Sequence, residues 1–186
     1  MNKKSNSNPP NTGPLAGVKV LDMSRILAGP TCTQLLGDYG ADVVKVEKPG
    51  GGDDTRNWGP PFMKDREGQD SNESGYFLAS NRNKRSLSLD ISQVESIKII
   101  KTLLKDCDVF IENFKVGSLK KYGLDYQSLS EDFPQLIYCS ITGYGQAGPN
   151  SHKAGYDLIA QGYAVSYTHL RCRRIERCRS RWSPYH

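Results

Sequence analysis

The sequence predicts an α/β fold in which a parallel β-sheet is flanked by helices. Short apolar, β-branched runs alternate with helical segments, giving strand–helix–strand over residues 18–47 and again over residues 85–112. The segments that would follow these strands are rich in glycine, proline and asparagine. Because crossovers between parallel strands are right-handed, we expect one sheet with a ligand site at the carboxyl ends of its strands.

The first half of the chain supplies two strands, one helix and a long connection. Residues 18–23 (VKVLDM) are an apolar run typical of a buried strand. Pro30 suits the first turn of a helix that continues over residues 31–39. Residues 41–47 (ADVVKVE) predict a second strand, and residues 48–74 read as a long loop of a length that is typically functional or flexible.

The second half repeats the pattern. Residues 85–89 alternate like a strand, and Ser92 with Glu95 has the form of a capping box at the start of a helix. That helix would carry Val94, Ile97, Ile100, Leu103 and Leu104 on its apolar face. The remaining elements are predicted as strands at 108–112 and 136–141, a short helix at 126–131 and a glycine-rich turn at 143–148.

Composition divides the chain into three parts. Residues 1–13 are rich in asparagine, serine and proline and lack the apolar segment of a secretory signal, which predicts a disordered arm. Residues 14–164 form the predicted domain. Residues 165–186 abandon the pattern and become rich in arginine, which we interpret as a non-native tail from a frameshift or an adapter, with a native basic tail as the alternative.

The net charge of +5 belongs to that tail. Residues 166–186 hold six arginines and one glutamate, so the rest of the chain is neutral. A nucleic-acid-binding function would therefore depend on the tail alone, and we do not expect nucleic acid as a partner. No stretch is long and apolar enough to predict a membrane span.

The cysteines predict an intracellular protein. Cys32, Cys107 and Cys139 lie in apolar segments without a nearby partner, as buried reduced thiols do. Cys172 and Cys178 lie in the tail, too far apart for a CxxC metal knuckle.

Common nucleotide and metal motifs are missing. The turn after the first strand holds Gly29 alone and not G-x-G-x-x-G, and no G-x-x-x-x-G-K-[ST] motif is present. No histidine and cysteine cluster has metal-binding spacing. Gly50, Gly51 and Gly52 could cradle a phosphate or simply form a flexible turn.

Five strings together are more specific. They are LAGP at 27–30, GDYGADVVKVE at 37–47, NRNKRS at 81–86, DVFIENF at 108–114, and ITGYGQAGP at 141–149 followed by AGYD at 154–157. In this order and spacing the chain resembles the class III coenzyme A-transferases (the CaiB/BaiF-like family) over residues 14–161. Residues 52–62 (GDDTRNWGPPF) are most similar to the group that transfers coenzyme A between succinyl-CoA and glutarate or hydroxymethylglutarate.

The resemblance implies a fold and an activity. It implies the incomplete N-terminal part of a Rossmann-like family III domain, and transfer of coenzyme A from an acyl-CoA such as succinyl-CoA to a carboxylic acid such as glutarate. Coenzyme A would be a substrate thioester and not a permanently bound cofactor. It also implies interlocked homodimers and a mitochondrial location, although the N-terminus does not read as a transit peptide and a cytoplasmic location is the alternative.

The resemblance also assigns site residues. Lys48, Lys84, Arg85 and Lys121 would contact the phosphates of coenzyme A, each with a solvated surface charge as the alternative. Leu27 and Ala28 would lie beside the thioester. Leu89, Asn113 and Phe114 are the remaining expected coenzyme A contacts, with simple packing as the alternative for Phe114.

Departures from the family pattern refine this picture. Leu27 replaces a glutamine and Ser92 a lysine of some relatives. Tyr156, where racemase relatives have a histidine base, favours a transferase over an acyl-CoA racemase, because an ordinary tyrosine is a poor base near neutral pH. Tyr156 and Asp157 should border the acyl site, although Asp157 could simply begin a helix. The family's nucleophilic aspartate matches no residue here, so we expect this chain to be inactive.

Overall fold

The first compact unit is built on a five-stranded parallel sheet. The computed structural model describes residues 12–164, apart from the side chain of Asn72, and the chain divides into two compact units after Ile141. The sheet has the strand order β5-β2-β1-β6-β7, with every neighbouring pair parallel. Its strands are β1 (Lys19–Asp22), β2 (Asp42–Glu47), β5 (Lys84–Ser88), β6 (Val109–Glu112) and β7 (Ile137–Ser140). The predicted α/β fold is confirmed.

Helices and a hairpin connect these strands. The connecting elements are α1 (Ala28–Asp38), a 3-10 helix at Asp54–Asn57, the hairpin β3 (Phe62–Lys64) and β4 (Asp70–Ser74), α2 (Gly75–Asn81), α3 (Val94–Leu104), a 3-10 helix at Lys120–Tyr122, and α4 (Tyr126–Asp132).

The two faces of the sheet bury different apolar clusters. Alternation along the strands sends Val20 and Val43 towards α1, where Leu36 packs against them. It sends Leu21 and Phe110 to the opposite face, against Ile100 of α3. Ile100 is fully buried, and burial of such a side chain contributes about 1.5–3 kcal/mol. These clusters fix the register of the strands and so fix where their carboxyl ends lie.

The predicted capping box at the start of α3 is wrong. Gln93 is the N-cap residue and makes no side-chain capping bond, while Ser92 donates from its N–H and hydroxyl to the Asp90 carboxylate. The Asp90 turn therefore competes for the serine that the capping box required. Val94 was predicted to lie on the apolar face of this helix, but it is 64% exposed.

The predicted loop over residues 48–74 contains regular structure. A 3-10 helix and the β3–β4 hairpin lie within it. The sequence also missed α2, whose N-cap residue Ser74 accepts a hydrogen bond from the N–H of Phe77. These elements give no clear periodic signal. β3 is short, β4 is polar and α2 begins with a glycine.

Most of the predicted arm and all of the predicted tail lie outside the described residues. The described part of the arm, Thr12 and Gly13, packs on the end of α1, because a Cβ on Gly13 would lie 2.4 Å from the carbonyl oxygen of Tyr39. Cys32, Cys107 and Cys139 are half-buried free thiols. No helix in residues 12–164 is long and apolar enough to cross a membrane.

The described part of the second unit is a glycine-rich segment followed by α5 (Asp157–Tyr163). Gly143 and Gly155 are in close contact, since a Cβ on Gly143 would lie 2.3 Å from the Cα of Gly155. The rings of Tyr144 and Tyr163 meet edge to face, with centroids 6.1 Å apart. This contact links the turn to α5.

Candidate functional site

The loops after β1 and β6 are joined at the carboxyl edge of the sheet. The Asn113 side chain accepts a hydrogen bond from the N–H of Arg25 at 2.9 Å and donates to the carbonyl of Arg25 at 2.8 Å. Asn113 thus binds the backbone of a residue 88 positions away. This edge is the place where the sequence predicted the ligand site.

A buried ion pair connects the loops after β1 and β2. The Nζ of Lys45 lies 3.0 Å from a carboxylate oxygen of Asp53, and both side chains are almost fully buried. Asp53 also accepts hydrogen bonds from the N–H of Ile26 and from the N–H and hydroxyl of Thr55. Burial alone would raise the pKa of Asp53, but the Lys45 charge and the Thr55 hydrogen bonds lower it, so the carboxylate is ionised.

The side chain of Lys84, which was predicted to contact a phosphate, is buried as well. Its Nζ donates to a carboxylate oxygen of Asp22 at 3.1 Å, to the carbonyl of Pro30 at 2.8 Å and to the side-chain oxygen of Asn81 at 2.9 Å. These bonds use all three donors of an ammonium group. Burial lowers the pKa of Lys84 to about 8, against the opposing charge of Asp22. The predicted phosphate contact of Lys84 therefore finds no support in this geometry.

The loop after β2 is anchored by a second carboxylate. Arg56 binds both oxygens of Glu47, each at 2.8 Å, and stacks on Phe77 with its guanidinium carbon 3.7 Å from the ring centroid. Glu47 also accepts hydrogen bonds from the hydroxyl of Ser86 and the N–H of Asp53. Burial acts to raise the pKa of Glu47, but these hydrogen bonds outweigh it and lower the pKa to about 2. The loop is therefore held rigidly on the sheet edge.

Two exposed cations at this edge share one carboxylate. Lys48 Nζ lies 2.6 Å from one oxygen of Asp54, and the guanidinium of Arg25 binds the other oxygen. The hydrogen bond from Lys48 is the largest cause of the lowered pKa of Asp54; burial opposes it, and the hydrogen bond from Arg25 lowers the pKa further. Two cations around one anion leave a net positive charge, which suits a phosphate.

The start of α1 completes the edge. Leu27 is the N-cap residue, makes no side-chain capping bond and is 38% exposed, and Ala28 is exposed beside it. Gly29 is required here because a Cβ would lie 2.2 Å from the Cβ of Ser24. Ile26 has a φ of 71°, which β-branched residues rarely adopt. The two residues expected beside the thioester are therefore accessible and follow a strained residue.

Leu89 and Phe114 follow the carboxyl ends of β5 and β6. The N–H of Leu89 donates to the carbonyl of Glu47 at 2.9 Å, and the N–H of Phe114 donates to the carboxylate of Glu112 at 2.7 Å. Both side chains are half-buried and pack against the apolar cluster around α3. Their partly exposed sides remain available to a ligand.

Other predicted residues lie apart from this edge or have their groups in use. Arg85 binds Asp42 through Nε and Nη2 of its guanidinium, at the amino ends of β5 and β2. Lys121 is exposed, with its Nζ 4.6 Å from the ring centroid of Tyr122. The N–H groups of Gly51 and Gly52 donate to backbone carbonyls, which favours the turn over the phosphate cradle.

In the second unit, Tyr156 and Asp157 begin α5. Tyr156 is the N-cap residue and is 65% exposed. Asp157 lies in the first turn of α5 and accepts a hydrogen bond from the side chain of Gln161 at 2.7 Å. The geometry supports the simpler interpretation of Asp157 as a helix-starting carboxylate. Among residues 12–164, no group of three or more His, Cys, Asp or Glu side chains could hold a metal ion.

The buried charges that hold the loops at this edge were not predicted from the sequence. Lys45 alternates with valines in a strand that reads as buried, and a buried lysine requires a carboxylate. The acidic pair Asp53 and Asp54, only a few residues later, was the available signal. Arg56 could be identified only once its partner Glu47 was known to be buried.

Comparison with known proteins identifies the family of the chain. CoA-transferase family III matches residues 15–174, which extends past the predicted domain boundary at 164 into a segment outside the described residues. The chain is 54% identical over 150 residues to the succinyl-CoA:glutarate CoA-transferase of Homo sapiens, covering 81% of this chain and 33% of that protein. It is 52% identical over 149 residues to the succinate–glutarate CoA-transferase of Agrobacterium fabrum, covering 80% and 37% respectively.

A solved structure supports the same assignment. The crystal structure of a CAIB/BAIF family protein from Brucella suis matches with a TM-score of 0.76 and 54% identity, over 82% of this chain and 39% of that one. The chain thus spans 33–39% of the length of these relatives. Because the fold and the family match agree, the chain belongs to CoA-transferase family III (CaiB/BaiF).

Proposed function

We propose that this chain forms the coenzyme A-binding part of an enzyme that transfers coenzyme A from succinyl-CoA to glutarate or a similar dicarboxylate. The observation that carries the proposal is the 54% identity to proteins named succinyl-CoA:glutarate CoA-transferase. The exposed cations, the Asn113 contact and the accessible Leu27 at one sheet edge support it.

In this proposal residues of the edge, together with the exposed Lys121 outside it, meet different parts of coenzyme A. Lys48 and Lys121 contact phosphates, because a phosphate in water-exposed sites needs a cation to bind firmly. Asn113 and Phe114 hold the nucleotide end. Leu27 and Ala28 lie beside the thioester, and their apolar side chains cannot donate a hydrogen bond to the acyl group. Arg85 is left out, because its guanidinium is committed to Asp42.

The reaction proposed for the whole enzyme proceeds through a mixed anhydride. A carboxylate oxygen of the enzyme attacks the thioester carbonyl carbon, the C–S bond breaks, and the coenzyme A thiolate stays bound. The incoming carboxylate attacks the carbonyl carbon that belongs to the enzyme, displaces the donor acid as its carboxylate and forms a new anhydride with the enzyme. The bound thiolate then attacks the acyl carbonyl carbon of this new anhydride, which gives the product thioester and regenerates the enzyme carboxylate. We assign that carboxylate to no residue of this chain, because Asp157 is hydrogen-bonded to Gln161 as a helix-starting residue.

Two related proposals follow from the family. We propose a homodimer as the assembly of the whole enzyme. An acyl-CoA racemase is the second candidate, and Tyr156 disfavours it because a racemase needs a base that titrates nearer neutral pH.

Calorimetry with coenzyme A and succinyl-CoA tests the binding proposal. Lys48→Ala/Lys121→Ala should weaken binding about tenfold and reduce its salt dependence, because two cations near phosphates are lost. Lys98→Ala/Lys101→Ala on α3 is the matched control, since it removes the same charge and should leave the affinity unchanged. Equal losses in both variants would contradict the site.

The transfer reaction is tested separately by incubating the chain with succinyl-CoA and glutarate. We expect bound coenzyme A but no glutaryl-CoA, because no residue of this chain is assigned as the nucleophile. Formation of glutaryl-CoA that is abolished by Asp157→Ala would contradict our assignment and make Asp157 the nucleophile.

A further inference from the structure

The loop that enters α1, residues 24–28, is held by a buried carboxylate from another part of the chain. Both oxygens of Asp53 accept from the N–H of Ile26, at 3.1 and 3.3 Å. Lys45, paired with Asp53 at 3.0 Å, donates to the carbonyl of Ser24 at 2.7 Å. The ion pair therefore binds the loop backbone at two points, one on each side of Arg25.

The backbone of Ile26 needs such an external hold. Its φ of 71° brings a β-branched side chain into the left-handed region, which costs free energy and persists only where the surroundings impose it. Asp53 provides that constraint because its own position is fixed, by the buried charge of Lys45 and by two hydrogen bonds from Thr55.

The two adjacent aspartates face in opposite directions. The Asp53 side chain is 1% exposed and binds the loop from inside, whereas the Asp54 side chain is 30% exposed and binds Arg25 and Lys48 from outside. Asp53 cannot contact a ligand from this position, so any influence on a ligand must pass through the loop. The residues that directly follow Ile26 are Leu27 and Ala28.

We propose that Asp53, supported by Lys45, is a positioning residue that sets the orientation of Leu27 and Ala28 towards the acyl thioester. This inference rests on the proposed function for the identity of the ligand, but the hold on Ile26 is a property of the free protein. The nucleotide end of coenzyme A should depend on it less, because among the residues assigned to that end only Asn113 contacts this loop, at Arg25.

The test removes the ion pair as a unit. Removing one partner alone leaves an uncompensated buried charge and endangers the fold, so the primary variant is Lys45→Met/Asp53→Ala. Lys45→Met/Asp53→Asn, which keeps the shape of the Asp53 side chain and leaves no unpaired charge in the ion pair, provides a second and milder variant. The control is Lys101→Met/Asp132→Ala, because it removes a lysine–aspartate pair that is largely exposed and connects α3 with α4.

Two measurements are made on each folded variant. The amide exchange rate of Ile26, followed by NMR, should rise about tenfold, while that of Leu21 in β1 stays within about twofold of the unmodified chain. Calorimetry should show that the affinity for succinyl-CoA falls several-fold, while the affinity for adenosine 3′,5′-bisphosphate, which contains only the nucleotide end, falls by a clearly smaller factor.

The outcomes separate the two proposals. Unchanged exchange of Ile26 in a folded variant, or an equal loss of affinity for both ligands, would overturn the positioning role. Failure of the unmodified chain to bind succinyl-CoA would contradict the proposed function, and the exchange of the Ile26 amide would still decide whether Asp53 holds the loop.

Discussion

Ion pairs at the two edges of the sheet differ in what surrounds them. Lys84 and Arg85 are adjacent in sequence, yet the Lys84–Asp22 pair has side chains that are 2% and 0% exposed, whereas the Arg85–Asp42 pair has side chains that are 62% and 41% exposed. Arg85 pairs with Asp42, and the two residues lie at the amino ends of the neighbouring strands β5 and β2. Lys84 reaches instead to the end of β1 and to the first turn of α1.

The difference shows that the same pairing of charges serves two purposes. An exposed pair contributes about 0–1 kcal/mol and tolerates loss of a partner. A buried pair contributes little over an apolar replacement, but losing one partner leaves a charge in a low-dielectric interior at a cost of about 3–5 kcal/mol. Buried pairs therefore fix the loops of the carboxyl edge, whereas the exposed Arg85–Asp42 pair adds little stability at the amino edge.

The largest expected effect comes from breaking this contrast at its two adjacent residues. Lys84→Ala should lower the free energy of unfolding by about 3–5 kcal/mol, because the fully buried Asp22 loses its cation. Arg85→Ala should lower it by less than about 1 kcal/mol. Urea denaturation at pH 7, where Lys84 is charged because its pKa is about 8, measures both. Similar losses in the two variants would refute the contrast.

A second prediction concerns the pH dependence of the Glu47–Arg56 pair. The pKa of Glu47 falls from its ordinary value of 4.5 to about 2 in the folded protein. A depressed pKa contributes stability that is complete above 4.5 and is lost as the pH falls from 4.5 towards 2. The stability difference between the unmodified chain and Glu47→Gln should therefore shrink by about 2 kcal/mol between pH 6 and pH 3. Glutamine cannot titrate, so a difference that is independent of pH would show that Glu47 is not held ionised.

The smallest expected effect concerns Asp54, the exposed counterpart of Asp53. Asp54→Asn should raise the affinity for coenzyme A about two- to fivefold, because it releases Lys48 and Arg25 from a competing carboxylate. Calorimetry at low salt measures the change, with Asp132→Asn on α4 as the control for the added positive charge. A loss of affinity would mean that Asp54 aligns the two cations for the ligand and does not compete with it.

Local patterns were enough to predict the sheet. Each strand carries its own local signal, an alternation in β5 and an apolar run in the others, so residues 18–23 and 41–47 could be identified without knowledge of the rest of the chain. The hairpin and α2 were missed because polar segments and a helix that begins with glycine have no such signal. The capping box failed because Asp90, outside the motif, competes for Ser92.

The candidate site was harder to predict because its charges depend on distant partners. Lys84 looks like a surface cation in sequence, and only Asp22, 62 residues away, explains why its side chain turns inward. Asn113 was identified through family resemblance, but its contact is the backbone of Arg25, which no motif indicates. All the site assignments stay predictions: Leu27, Ala28, Lys48, Lys84, Arg85, Leu89, Asn113, Phe114, Lys121, Tyr156 and Asp157.

The order of the strands has a consequence for how the chain is made on the ribosome. β1 lies at the centre of the sheet and pairs with β2 on one side and β6 on the other. The bond from Lys19 to Asp108 at the start of β6 spans 89 residues, whereas the β2 partner of Lys19 is Asp42. Synthesis therefore completes β2 long before β6 emerges, and until then one edge of β1 lies open to other strands. We expect this interval to be the period of greatest aggregation risk for the nascent protein, and one that ends when Val109–Glu112 leaves the ribosome.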